Sequence, residues 1–174
     1  MIETLRDIEI TIDERDIHFL TEFNWFIEKQ SSGIYFSTRF TDIEGKVKTI
    51  KLHRLIAGAT DIKDGKIVFN SKQVVDHIDR NPLNNNRSNL RLCTRSQNAM
   101  NSKIPKDNSS GHKGVTWDKH RKKWRVHIVV NGKQHFLGRY DTIEGAVESR
   151  KKAVTALFRE YGADFERLDK EATK

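Results

Sequence analysis

Cysteine is almost missing from this chain: a single residue, Cys93, stands among 174. A disulfide framework needs pairs of thiols, and a Cys-rich zinc site or a CxxC redox couple needs at least two, so all three are excluded. Cys93 therefore reads as a small buried residue of an intracellular protein. Long apolar runs are missing too. The opening MIETLRDIEI has no apolar core of the kind a signal peptide carries, and no stretch approaches the ~20 residues that cross a bilayer. A cytoplasmic protein with no membrane partner is expected. Acidic residues are in deficit, 24 against 32 Lys and Arg, which leaves a net charge of +8. That excess is local: residues 112–140 hold eight Lys or Arg and one acid, Asp118, while the rest of the chain is close to neutral. A basic block confined to one stretch favours an anionic partner, nucleic acid first.

Proline occurs only twice, and one of the two, Pro105, lies in SKIPKDNSSGHKG, a segment with almost nothing to bury. A linker is expected at 103–111, between a domain over 1–102 and a second over 112–174. In the first, IEITI (8–12), WFIEK (25–29), GIYFSTRF (33–40) and KVKTIKLH (46–53) read as strands, with DIEG as a hairpin turn before the last. DERDIHFLTEF (13–23) has helical spacing, and LHRLIAG is a short helix stopped by Gly58. The tripeptide GIY at 33–35 is shared with another class of nuclease, but no second motif of that class follows. In the second domain KGVTW, KWRVHIVV and KQHFLGRY are three strands, and Asn131-Gly132 joins the last two as a hairpin. A helix over about 142–161 places Ile143, Ala146, Val147, Arg150, Ala153, Val154, Leu157 and Tyr161 on one stripe, with Asp141 or Thr142 as its N-cap and Gly162 as its stop.

Between these parts lies VVDHIDRNPLNNN (74–86): a short apolar strand that ends in Asp76-His77, then a loop crowded with asparagine. NLRLC follows as a second strand, and TRSQNAMNS as a short helix with Thr94 and Gln97 as a capping box. An imidazole with a pKa near 6.5 is suited to take a proton from water near neutral pH. Asn tolerates left-handed backbone and bonds to its own loop, so Asn81, Asn84, Asn85 and Asn86 read as turn chemistry. Adjacent strand residues point to opposite faces, so Asp76 and His77 can share a site only if regular strand ends there.

The ordered series LHRLIA, VVDHIDRNPLNNNRSNLRLCT and SQNAMN, over about 50–102, resembles the HNH endonuclease family in its phage and intron-encoded homing branch. The resemblance implies a ββα-metal finger around one divalent cation. Asp76 and Asn98 would bind the cation, His77 would be the general base, and Asn89 would tie the loop together. Much of the family has His where Asn98 stands. That substitution speaks against structural zinc and for Mg²⁺, with Mn²⁺ as a substitute, because Mg²⁺ accepts carboxylate, amide oxygen and water. His53 and Arg54 are open to two readings, contact with the scissile phosphate or local packing and pairing.

The segment 111–154 resembles the plant APETALA and ethylene-response-factor DNA-binding domain in its Lys-Gly-Val, its KW, its FLGRYDT and its EGAVESRKKAV. That implies a three-stranded antiparallel sheet on one helix, docked by its outer face in the groove of double-stranded DNA. By position the groove readers fall at Lys113, Gly114, Thr116, Asp118, His127, Val129 and Phe136, and Arg125 shares their face. The family's arginines are missing where Thr116, Asp118 and Val129 stand, so docking by the sheet carries over better than sequence preference. Lys119, Arg121, Lys122, Lys123, Lys133 and Arg139 are expected on phosphates, where they add affinity without specificity. Trp117 is open between groove contact and core plug. The expectation is thus an α+β, two-domain DNA endonuclease that cuts one strand as a monomer, or both strands as a dimer on DNA. The competing expectation is a DNA-binding regulator whose HNH module is silent.

Overall fold

A computed structural model describes residues 1–42, 44–63, 66–69, 73–104 and 107–158. The architecture is mixed α+β, with several small sheets and few helices, arranged in two compact units, Met1–Thr94 and Arg95–Lys174. No helix among the described residues is long and apolar enough to cross a membrane.

In the first unit β1 (Ile2–Leu5) and β2 (Ile8–Ile12) form an antiparallel hairpin whose turn residues, Arg6 and Asp7, both have positive φ. A 3-10 turn at Glu14–Asp16 and the short α1 (His18–Glu22) follow, instead of one continuous amphipathic helix. The reason is Asp16, which is buried and bonded to Arg87, so this segment is shaped by a distant ion pair as well as by its own period. β3 (Phe26–Gln30), β4 (Gly33–Thr41) and β5 (Val47–Lys51) make an antiparallel meander. Chain direction then changes abruptly into α2 (Leu52–Ile56), the hairpin of β6 (Thr60–Lys63) and β7 (Lys66–Phe69), and β8 (Val74–His77). The two-residue β9 (Asn84–Asn85) joins the parallel edge of β2, and β10 (Leu90–Cys93) pairs antiparallel with β8. β1, β6, β7 and β9 are strands that periodicity does not announce.

Alternation puts Ile10 and Ile12 of β2 inward, where they meet Trp25, Phe36, Ile50, Leu52 and Ile56 in one core. Trp25 satisfies its indole N–H on the carbonyl of Phe19 at 2.9 Å, which lets the ring be buried without an orphan donor.

The second unit begins with α3 (Arg95–Asn101), eight residues before the Pro105 segment from which a linker was expected. Met100 explains the difference: it is buried with Ile128, Val154 and Phe158 in a core of this unit. β11 (Val115–Asp118), β12 (Lys123–Val130) and β13 (Lys133–Tyr140) form a three-stranded antiparallel sheet, and α4 (Ile143–Phe158) covers one face. Val126 and Ile128 point to the helix while Arg125 and Val129 point outward. The Thr142 hydroxyl accepts the N–H of Gly145 at 3.2 Å and so caps α4. Leu157 departs from the expected stripe: it is 52% exposed, at the edge of the face that buries Val154 and Phe158. Tyr161 and Gly162 lie outside the described residues.

Candidate active site

β8 ends in Asp76 and His77. Asp76 pairs across the hairpin with Arg91, and His77 with Leu90. Both side chains are buried. The Asp76 carboxylate accepts two hydrogen bonds on Oδ2, from Nε of Arg91 at 3.0 Å and from its terminal nitrogen at 2.8 Å. A planar fork held this way fixes the carboxylate in orientation as well as charge.

His77 is the last residue of its strand, and its ring meets a different set. Nε2 lies 3.5 Å from Oδ1 of Asn85. The ring of His53 stands edge-on at 4.9 Å between centroids, and the ring of Tyr35 lies at 6.3 Å. Burial lowers the pKa of His77, outweighing the Asn85 contact and the nearby Asp79 and Asp76 carboxylates, which raise it. The imidazole is thus biased to the neutral form that can accept a proton.

The asparagine loop divides by role. Asn81 accepts the N–H of Leu83 and Asn84 donates to Asp79 at 2.7 Å, which is turn chemistry. Asn89, which begins the second half of the hairpin, is buried: Oδ1 accepts the N–H of Asp79 at 3.0 Å and Nδ2 donates to the carbonyl of Asn84 at 2.8 Å and to Asp79. Asn85 differs from its neighbours and from its expected reading. It is 2% exposed, and its amide donates to the carbonyl of Pro82, which leaves the oxygen turned to His77. The loop as a whole is pinned to the N-terminal hairpin. Thr11 donates to the carbonyl of Leu83, and Arg87 donates its N–H to Asp13 and its guanidinium to Asp16 at 2.8 and 2.6 Å.

His53 is the second residue of α2 and is buried against His77 and Tyr35. Arg54, by contrast, donates to the carbonyls of Gln73 and Ala59. Burial, followed by the positive charges on or near His77, Lys51 and Arg54, holds His53 well below the ordinary imidazole value. The sign of the consequence follows from linkage. Below about pH 6.5 the unfolded chain binds a proton at His53 that the folded chain refuses, so the neutral ring's stability is complete above that pH and is lost as pH falls. Urea unfolding of the first unit at pH 7.5 and 5.5 is therefore expected to show a loss approaching about 1.4 kcal/mol per pH unit per buried histidine. His53→Asn is expected to flatten that slope; an unchanged slope would remove His53 as its source.

Two further members of the site escape a reading of the motif alone. Tyr35 and Lys51 come from the meander, where Lys51 Nζ sits 4.1 Å from the centroid of the Tyr35 ring. The face shared by Tyr35 and Ser37 was the available signal, since Ser37 lies opposite Lys51 in the register.

Asn98 lies on α3 and so belongs to the second unit. In that unit Thr116, Arg125 and Arg139 form a cross-strand row on the sheet's outer face, and Val129 and Phe136 are also exposed. Asp118 organises part of it: it accepts the backbone N–H of Arg121 at 3.1 Å and pairs with Arg139 at 3.1 Å and with the Arg121 guanidinium at 3.6 Å, and the backbone bond, ahead of the two pairs, lowers its pKa. Lys119, Lys122 and Lys133 are exposed, and Lys123 bridges to Asp141 at 3.0 Å. Lys113 donates to the carbonyls of Ala99 and Ser102 and to the Ser102 hydroxyl, so it closes the C-terminus of α3. Gly114 is packed, not presented: a Cβ there would lie 2.4 Å from the carbonyl of His127. His127 is half-buried with its Nδ1 unbonded among the described residues. Trp117 stands on the helix side with Val115, edge-on to Trp124 and 42% exposed.

The family model described as HNH endonuclease matches residues 51–100, which spans the histidine of α2, the β8–β10 hairpin and most of α3. Protein 3.8 of Escherichia phage T7 is 47% identical over 70 residues, 40% of this chain and 58% of that protein. A protein of Acanthamoeba polyphaga mimivirus named Uncharacterized HNH endonuclease L560 is 34% identical over 144 residues, 83% of this chain and 67% of its own. No solved structure matches. With the Asp-His pair ending a buried strand and a viral relative alike over most of the length, this chain belongs to the HNH endonuclease family.

Proposed function

We propose that the chain is a metal-dependent DNA endonuclease that hydrolyses one phosphodiester per active site, with His77 as general base. The observation that carries this is the setting of His77: buried, neutral by environment and aimed by an amide oxygen. If Nε2 keeps its proton for Asn85, the lone pair is on Nδ1, where it can take a proton from an attacking water. Asp76 and Asn98 would hold a divalent cation, for which the donor set is suited. A carboxylate and an amide oxygen fill few positions and leave the rest to water, as Mg²⁺ prefers. Bound there, the cation would stabilise the charge that develops on the departing 3′-oxygen. Asn89 keeps the loop in register so that the base and the carboxylate stay on one short hairpin.

The outer face of the β11–β12–β13 sheet is the proposed double-stranded DNA contact. Thr116, Arg125, His127 and Phe136 would face the groove, while Lys119, Arg121, Lys122, Lys123, Lys133 and Arg139 would meet phosphates. Lys113 and Gly114 would instead shape the unit from within. One active site per chain gives nicks from a monomer and paired nicks from a dimer.

Supercoiled plasmid, with phage and bacterial genomic DNA as alternative substrates, tests the reading. Open-circle product is expected with Mg²⁺ or Mn²⁺ and none with EDTA. Tight binding to DNA without metal and without cleavage of any substrate would point instead to a regulator.

A further inference from the structure

One face of the β3–β4–β5 meander is polar and is turned to the two histidines. Glu28 lies opposite Tyr35 in the register, and Ser37 opposite Lys51, so these four side chains share that face. The Tyr35 ring connects the face to the site, at 5.6 Å from His53 and 6.3 Å from His77. Lys51 holds its ammonium over this ring at 4.1 Å, half-buried, at the point where β5 turns into α2. Its nearest acid on the face, Glu28, is already engaged by the Ser37 hydroxyl at 2.7 Å and by Gln30. Two cations of neighbouring elements are engaged differently: Arg91 clamps Asp76, and Arg54 donates to two backbone carbonyls. Lys51 is thus held by the charge of Glu28 and by a π face, contacts worth little beside a desolvated phosphate.

We infer that Lys51 is a further catalytic residue, which leaves the Tyr35 ring to bind a non-bridging oxygen of the scissile phosphate and to stabilise the charge added there in the transition state. This rests on the endonuclease reading above. In the step, water adds to phosphorus and passes its proton to His77, the bond to the 3′-oxygen breaks, and that oxygen leaves with the electron pair. Lys51 gives up no proton; its fixed charge offsets the negative charge that gathers on the phosphoryl oxygens. The long stem lets the ammonium travel from ring to phosphate while the methylenes go on covering Tyr35.

The test uses the full chain, single-turnover nicking of plasmid, and the variants Lys51→Met and Lys51→Arg. Methionine keeps the stem and deletes the charge, and arginine keeps the charge. Lys51→Met is expected to slow nicking about 100-fold, with plasmid affinity reduced by less than about tenfold and melting within about 2 °C of the parent. Lys51→Arg is expected to recover most of the rate. A packing role would lower the melting temperature in step with the rate and give no recovery by arginine; that pattern, or an unchanged rate in Lys51→Met, overturns the assignment. If the parent chain itself cuts no DNA, the endonuclease reading falls and this role falls with it. Cleavage by the parent alongside an unaffected Lys51→Met removes Lys51 alone.

Discussion

Substitution of His77 by alanine is expected to lower single-turnover DNA cleavage by about 10²- to 10⁴-fold, the range over which a positioned general base contributes. The size of the effect follows from the surroundings of the ring. His77 is buried, so bulk water does not readily replace it, and its pKa is held down by that burial. The change should leave DNA affinity nearly intact, because the ring is not part of the basic sheet. Removal of the ring does vacate a partner of Asn85 and a face of His53, so a modest loss of stability, about 1–3 kcal/mol, is expected as well. A cleavage assay at a temperature well below the melting point of the variant separates the two effects. Cleavage by His77→Ala at the parental rate would mean that another group takes the proton, with His53 the first to examine. A parallel His53→Ala variant answers that question directly.

The second large effect is expected in the second unit, at Gly114→Ala. The backbone there has φ +71°, and the added Cβ would lie 2.4 Å from the carbonyl oxygen of His127 and 2.8 Å from Nε of Arg150. The first obstacle is backbone and cannot swing aside. The same glycine accepts the N–H of His127 through its own carbonyl at 2.9 Å, so any retreat of β12 breaks that bond. Strain and steric conflict together should cost about 3 kcal/mol or more, and on the order of 10 °C in the melting of a unit this small. Tryptophan fluorescence can read it: Trp117 and Trp124 report on the second unit, and Trp25 reports on the first. Trp117→Phe with Trp124→Phe in the same background isolates the Trp25 signal, which should melt unchanged. A second unit that melts at its parental temperature with alanine at 114 would refute the packing account.

Local features of the fold were open to a reader of the sequence, and features made by distant partners were not. The Asn131-Gly132 turn was legible because both residues sit at positive φ, 50° and 77°, which is what the dipeptide advertises. α4 was legible apart from Leu157, which is exposed although Val154 and Phe158 on either side of it are buried. The pair at the end of β8 could be picked out as a motif. Asn85 could not be told from Asn81 or Asn84, since its burial is decided by pairing with Ile12 across more than seventy residues. Lys51 and Tyr35 were hidden for a related reason: their shared face exists only once three strands have found their register. Composition suggested a break at Pro105, yet Met100 on the near side of it packs with the second unit, because a single buried side chain outweighs a run of small polar ones.

The parallel contact between β2 and β9 has a bearing on how the protein comes into being. During synthesis the β1–β2 hairpin is made well before β9 and stays without that partner strand, marginal as a two-stranded ribbon, while some seventy further residues are added. Only then do Asn84, Asn85 and Arg87 reach Thr11, Ile12, Asp13 and Asp16. Closing so long a loop is entropically costly and slow, so the contact that turns Asn85 toward His77 belongs to the late steps of folding. A nascent or partly degraded chain would carry the whole Asp-His motif and still lack the buttress that aims it. On the endonuclease reading proposed above, that delay would act as a safety catch.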